Sequence, residues 1–294
     1  MRHLPTFVSI EPANYCQLRC PACPVGLREN SQHKAQNMRW EVYERVLAQV
    51  EKSAHTIQFY FQGEPLLNPL LSKMIARARE AGLFTVVSTN AQALTHGMAQ
   101  ELVKSGLNRI IVSIDGFSEE SYAAYRVGGS LHRALEGLEY LREAKAEYCS
   151  RICIELQVLR LRSNEHEWEW VKRHYKTLGA TRLVLKTAQL YDYEYGHALM
   201  PSNERYSRYK KGKDGKYHLA RRNTKGCYRL WSGCVVTTAG EVLPCCYDKA
   251  GEHGFGSVVT QSIAEVWHSE KATAFRQRVV ENNRAIPICR ECNF

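Results

Sequence analysis

Three thiols fall close together in Cys16-Gln17-Leu18-Arg19-Cys20-Pro21-Ala22-Cys23, a Cys-x3-Cys-x2-Cys spacing that directly follows a short apolar run. Thiolates are the ligands of iron-sulfur clusters, and a cubane normally takes four of them. No fourth cysteine follows until Cys149, and prolines at 12, 21 and 24 oppose helix formation through the stretch. A loop here can wrap three iron corners and leave the fourth open, and an open iron can bind a small molecule. Taken alone, the trio leaves a three-cysteine zinc or structural site as the lesser alternative.

The elements that must hold this loop are readable from hydrophobic period. Strands are expected at Phe7 to Ile10, Thr56 to Phe61, Phe84 to Ser88, Arg109 to Ile114, Arg151 to Leu159 and Arg182 to Leu185. Helices are expected at Glu41 to Glu51, Leu70 to Ala81, Thr95 to Ser105, Leu131 to Ala146 and Glu165 to Thr177. This alternation implies parallel strands joined by right-handed helical crossovers, with the chemistry at the strand C-termini. Six strands fall short of the eight in a closed barrel, so the expected fold is α/β, an open, partial (β/α)6 TIM-like barrel.

Composition narrows the rest. A chain of 294 residues with 44% hydrophobic content can bury a full core, and no signal-like or membrane-spanning stretch is seen, so a soluble cytoplasmic protein is expected. Eleven cysteines without a secretory signal point to metal binding or catalysis rather than disulfides. The net charge of +10 is uneven: nine Lys and Arg stand against Glu204 and Asp214 between residues 201 and 225, leaving +3 elsewhere. That concentration reads as a solvated, mobile linker, with a grip for phosphates or an acidic peptide as the other reading. Nucleic acid and membrane are not expected as partners. The division is 1–190 as core, 191–226 as basic linker and 227–294 as a cysteine-rich tail, in which Val235 to Thr238 and Glu241 to Pro244 read as a hairpin and Ile263 to Val280 as one helix.

In its cysteine spacing the sequence resembles the radical S-adenosylmethionine (SAM) superfamily. The resemblance implies that Cys16, Cys20 and Cys23 hold a [4Fe-4S] cluster whose free iron chelates SAM. One electron then cleaves the sulfonium to methionine and a 5′-deoxyadenosyl radical, which abstracts a hydrogen atom from a substrate. Gln62-Gly63-Glu64-Pro65 is similar to the Gly-Gly-Glu-Pro element that holds the SAM ammonium. Ser88-Thr89-Asn90 and Ser113-Ile114-Asp115-Gly116 are similar to segments that approach its ribose and methionine portions. Gln62, Gly63, Glu64, Pro65, Ser88, Asn90, Ser113 and Asp115 are thus implied cofactor residues, and Arg126 resembles an arginine that pairs with the SAM carboxylate. Ala22 stands where many members carry an aromatic residue. Cys20-Pro21-Ala22-Cys23-Pro24 looks like the form found in members with cysteine-rich C-terminal extensions.

In the tail, twelve residues separate Cys227 from Gly240, four more separate Gly240 from Cys245, and Cys289-Arg290-Glu291-Cys292 closes the pattern. This resembles the twitch form of the SPASM extension, which implies an auxiliary [4Fe-4S] cluster on Cys227, Cys245, Cys289 and Cys292; by spacing alone a four-cysteine zinc site has the same ligands. The surplus thiols Cys234 and Cys246 are either buried or hydrogen-atom donors to a substrate radical, and Cys149 and Cys153 read as core residues. Short relatives with one auxiliary cluster include 2-deoxy-scyllo-inosamine dehydrogenase and neomycin C epimerase, which implies oxidation or epimerisation of a carbohydrate or cyclitol. The resemblance also implies a flavodoxin- or ferredoxin-type electron donor. Two other readings stand beside it: a peptide-modifying SPASM enzyme, for which no recognition domain is read ahead of Cys16, and a non-catalytic iron-sulfur carrier or zinc module.

Overall fold

A computed structural model describes residues 3–27, 34–221 and 227–292. The expected alternation is present: β1 (Phe7–Ile10), α1 (Trp40–Val50), β2 (Thr56–Phe59), α2 (Leu71–Glu80), β3 (Phe84–Thr89), α3 (His96–Lys104) and β4 (Arg109–Ser113). It continues through α4 (Glu119–Ala123), α5 (Leu131–Glu147), β5 (Cys153–Arg160), α6 (Trp168–His174) and β6 (Arg182–Thr187). Then come β7 (Tyr209–Lys211), β8 (Tyr217–Leu219), α7 (Arg229–Ser232), β9 (Gly233–Val236), β10 (Glu241–Leu243) and β11 (Gly256–Ser257). The chain ends in α8 (Ile263–Trp267), α9 (Glu270–Asn282) and α10 (Pro287–Arg290). No helix among the described residues is long and apolar enough to cross a membrane.

The described residues form two compact units. The first comprises 3–15, 34–87 and 227–292. In it β1 is hydrogen-bonded in parallel to β2 on one side (Phe7 opposite Thr56) and to β9 on the other (Phe7 opposite Gly233). β2 continues in parallel to β3, while β9, β10 and β11 are antiparallel. The tail hairpin is therefore part of the same sheet as the N-terminal strand. Buried Val42, Tyr43, Val46, Leu47 and Val50 line one face of α1, at helical spacing. Tyr43 is fully buried and donates its hydroxyl to the Met74 carbonyl of α2 at 2.6 Å, which satisfies the polar tip of a large apolar ring.

The second unit comprises 16–27 and 88–221. β4, β5 and β6 are parallel, with Ile110 opposite Ile154 and Leu156 opposite Leu183. Glu155 on the central strand is buried, and Arg182 (3.5 Å) and Arg109 (4.0 Å) on the flanking strands balance its charge. At Gly137 of α5 an added Cβ would lie 3.2 Å from Leu94, so glycine permits the close approach of the segment preceding α3.

Three expectations need correction. The single helix Ile263 to Val280 is two helices, because the Ser269 hydroxyl accepts the Ala272 amide and starts a new helix after His268. Cys149, expected in the core, is exposed at φ 47° in the turn after α5. Residues 191–221 are not a solvated connection: Tyr209 and Leu219 face each other across β7 and β8 and are buried with Leu190, Leu199 and Met200. The Tyr209 hydroxyl accepts the Leu190 amide (2.7 Å) and donates to its carbonyl (2.8 Å), and its ring stacks on Tyr193. Residues 222–226 of the expected linker lie outside the described residues.

Tyr209→Phe should lower the unfolding free energy by about 1–3 kcal/mol, since it strands two buried backbone groups. Urea denaturation measures this. Limited trypsinolysis gives the companion readout: the many Lys and Arg sites in 201–221 should be protected in the native protein and cut faster in the variant.

Candidate functional site

In the second unit the first three cysteines lie on a loop that folds back on itself. Cys23 donates its amide to the Cys20 carbonyl (3.2 Å) and Leu27 to that of Cys23 (2.8 Å). Gly26 sits so near Cys20 that an added Cβ would lie 2.5 Å from its carbonyl oxygen. The Cys16 sulfur accepts the Leu18 amide and the Asn90 side-chain amide, both at 3.4 Å. Asn90 is held for this by Gln17 and by the Gln92 amide, both donating to its Oδ1. Asn90 follows β3, where an implied cofactor residue was expected, and it bonds directly to the first thiol.

The implied carboxylate-binding Arg126 is nearly enclosed. Its Nη2 lies 2.6 Å from Asp115 Oδ2 and its Nη1 4.0 Å from the Cys20 sulfur. Burial disfavours the guanidinium charge, but Asp115 and Cys20 outweigh this and keep Arg126 cationic. Burial likewise pushes the Cys20 thiol above its ordinary value, and Arg126 opposes that shift. Asp115, itself fully buried, accepts the Leu159 amide at 2.6 Å through its other oxygen, and Asn164 donates to its carbonyl. In this arrangement the Asp115 side chain orients Arg126. Ser113 is buried at the end of β4 and Ser88 half-buried near the end of β3. Amide donors and a paired cation around two of three sulfurs suit thiolates and the sulfurs of an iron-sulfur cluster.

In the first unit Gln62-Gly63-Glu64-Pro65 forms the turn after β2. Gly63 adopts φ 65°, and an added Cβ would meet the Ala13 carbonyl at 2.3 Å, so only glycine fits. The Glu64 amide bonds to the Tyr15 carbonyl, and its buried carboxylate accepts the Leu66 amide, capping the short turn that Pro65 begins. Gln62 donates to the Lys249 carbonyl at 2.9 Å.

Next to this turn is a residue that the motifs did not single out. Glu11, directly after β1, is 3% exposed, accepts the Thr238 amide at 3.1 Å, and has its pKa raised to about 7 by burial. Backbone amides of Thr238 and Gln62 and the charge of Lys249 oppose that rise. The available signal was a lone acidic residue at a strand C-terminus, the position at which this fold class places its chemistry.

The tail thiols all belong to the first unit. Burial pushes Cys245 up to about 12, with Cys246 and Cys227 adding to the rise and the amides of Tyr247 and Asp248 opposing it. Cys289 is pushed up to about 11 by burial and by Cys292 and Cys227. Cys227 is thus electrostatically coupled to both Cys245 and Cys289, and Cys289 to Cys292. Cys234 does not join them: it is buried on β9, raised to about 12, with Arg276 of α9 as its charged neighbour. Cys246 is half-buried beside Cys245. Among the described residues no three His, Cys, Asp or Glu side chains draw together tightly enough for a single metal ion. A cubane distributes its thiolates over separate iron corners, and both cysteine groups have the donor chemistry for one.

Comparison with known proteins agrees with this chemistry. Residues 10–171 match the model of the radical SAM superfamily, and residues 227–293 match SPASM, an iron-sulfur cluster-binding domain. A tungsten-containing aldehyde ferredoxin oxidoreductase cofactor-modifying protein of Pyrococcus furiosus is 22% identical over 98% of this chain and 87% of its own. The crystal structure of BtrN in complex with AdoMet and 2-DOIA has a TM-score of 0.60 at 21% identity, covering 99% of this chain and 93% of that one. Streptococcus suis SuiB bound to its precursor peptide SuiA gives a TM-score of 0.72 at 13% identity, covering 99% of this chain and 71% of that one. The family carries SAM with a [4Fe-4S] cluster in the core and iron-sulfur auxiliary clusters in the SPASM domain. From residue 10 to residue 171 and again across its terminal cysteines, the chain belongs to the radical SAM superfamily and carries a SPASM domain.

Proposed function

We propose that this enzyme oxidises or epimerises a carbohydrate- or cyclitol-type small molecule by hydrogen-atom abstraction. When bound, the core cluster and SAM supply a 5′-deoxyadenosyl radical that removes an unactivated hydrogen. Cys16, Cys20 and Cys23 hold the core cluster, and Cys227, Cys245, Cys289 and Cys292 hold one auxiliary cluster. By their likeness to the family's motifs, Gln62, Gly63, Glu64, Pro65, Ser88, Asn90, Ser113, Asp115 and Arg126 are the residues assigned to SAM. The observation that carries this reading is the convergence of Asn90 on Cys16 and of Arg126 on Cys20, which joins two cofactor motifs to the thiol trio.

The small-molecule substrate rests on the near-equal span of this chain and BtrN, whose structure holds 2-DOIA. A ribosomal-peptide substrate is the second reading, favoured by the peptide-bound SuiB structure. Of the two surplus thiols, Cys246 is the candidate hydrogen-atom donor, because Cys234 is buried and Cys246 is only half-buried. We place the enzyme in the cytoplasm, served by a flavodoxin- or ferredoxin-type donor, with 1–190 as the barrel core and 227–294 as the auxiliary domain.

Anaerobically reconstituted protein with SAM and dithionite should release 5′-deoxyadenosine, and Cys16→Ala, Cys20→Ala or Cys23→Ala should abolish it. Iron and sulfide counts should drop by one cluster in each of these variants and, separately, in Cys227→Ala. Unchanged nucleoside release in the trio variants would overturn the reading. Cys246→Ala should abolish stereoinversion if the enzyme is an epimerase and preserve ketone formation if it is a dehydrogenase, as chiral chromatography of the products distinguishes; Cys234→Ala should leave either outcome intact.

A further inference from the structure

Between residues 201 and 221, seven Lys and Arg stand against Glu204 and Asp214, so half of the chain's net charge of +10 lies there. The acids do little to cancel it on the hairpin. Asp214 is engaged by His218 (2.8 Å), and Lys216 is taken up by Glu194 (3.3 Å). Lys210, Lys211 and Lys213 are exposed and enter no ion pair among the described residues. Nearby Tyr195 is 81% exposed and lies beside Lys216, adding an aromatic surface to the cations.

Tyr209, Tyr217 and Leu219 of the same hairpin pack inward, and strand alternation puts Lys210 on the other side while Lys211 projects beyond them at the strand end. Tyr209 and Leu219 belong to a buried cluster that also contains Leu18 and Cys20, and Cys16 and Cys23 pack against it. The hairpin that carries these lysines is therefore anchored in the same buried cluster as the cysteine loop. Small, charged surfaces on rigid supports are the interface type of transient redox encounters, in which opposite charge steers association. Holding the lysines on a folded hairpin also reduces the ordering cost of docking.

We propose that the exposed cationic end of the β7–β8 hairpin, formed by Lys210, Lys211 and the turn residue Lys213, docks the acidic one-electron carrier protein that serves the cluster on Cys16, Cys20 and Cys23. This rests on the reading of that trio given above. The test uses the reconstituted full chain, reduced flavodoxin as the acidic carrier, and two variants in which all three lysines become Glu or Ala. Calorimetric affinity for flavodoxin should fall at least about tenfold in the Glu variant and less in the Ala variant, and the salt dependence of binding should flatten in both. Carbodiimide coupling should join flavodoxin carboxylates to Lys210, Lys211 or Lys213 in the native protein.

Dithionite-driven 5′-deoxyadenosine release should match the native rate in both variants, which shows that they fold and keep the core site. Equal flavodoxin affinity in all three proteins, or crosslinks confined to other lysines, would overturn the proposal. So would loss of affinity for an acidic peptide probe with no loss for flavodoxin, which would make the hairpin a peptide dock. Absence of dithionite-driven product in the native protein would instead sink the reading of the cysteine trio, and binding and crosslinking would still decide the surface.

Discussion

Burying a guanidinium requires a partner, and in the second unit that requirement organises the cysteine loop. Arg126 is charged because Asp115 lies against it, and Asp115 is fixed by the Leu159 amide while Asn164 secures its backbone. Removing either charge would leave the other buried and unpaired, a state that costs several kcal/mol in general, about 3–5 for a broken buried pair. The pair thereby ties the end of β4 to the end of β5, and through Nη1 it reaches the Cys20 sulfur. A sulfur ligand that would otherwise be disfavoured as a thiolate by burial is held beside a cation instead.

The first unit solves a related problem largely with backbone groups. Glu11 accepts the Thr238 amide, Gln62 reaches the Lys249 carbonyl, and Lys249 donates to the Phe61 carbonyl at 3.2 Å. These bonds connect the ends of β1 and β2 to the two stretches that flank Cys245 and Cys246. Asp248 closes the same stretch by accepting the amides of Glu252 and His253. The position of the tail thiols is consequently set by contacts with the N-terminal strands as much as by their own spacing.

Much of the fold was legible because a buried parallel strand such as Ile110 to Val112 is a continuous apolar run, and helices such as α1 carry a clear stripe. Residues 191–221 were not, because Leu199, Met200, Tyr209 and Leu219 are isolated among cations and their burial depends on Leu18 and Cys20, far away in sequence. The break at Ser269 was hidden by apolar residues that keep helical spacing on both sides of it. At the site, spacing singled out the thiols, and the family resemblance pointed to the Gly63 turn and Arg126. The orienting role of Asp115, the bond from Asn90 to Cys16 and the buried carboxyl of Glu11 depend on which strand ends meet, which no local pattern encodes.

The pairing of β1 with β9 has a consequence for biosynthesis. Thr6 bonds to the Ser232 carbonyl across 226 positions, and Phe7 lies opposite Gly233. Because a ribosome delivers β1 long before β9, β1 must wait, with one edge bare, until residues 233–236 have been translated.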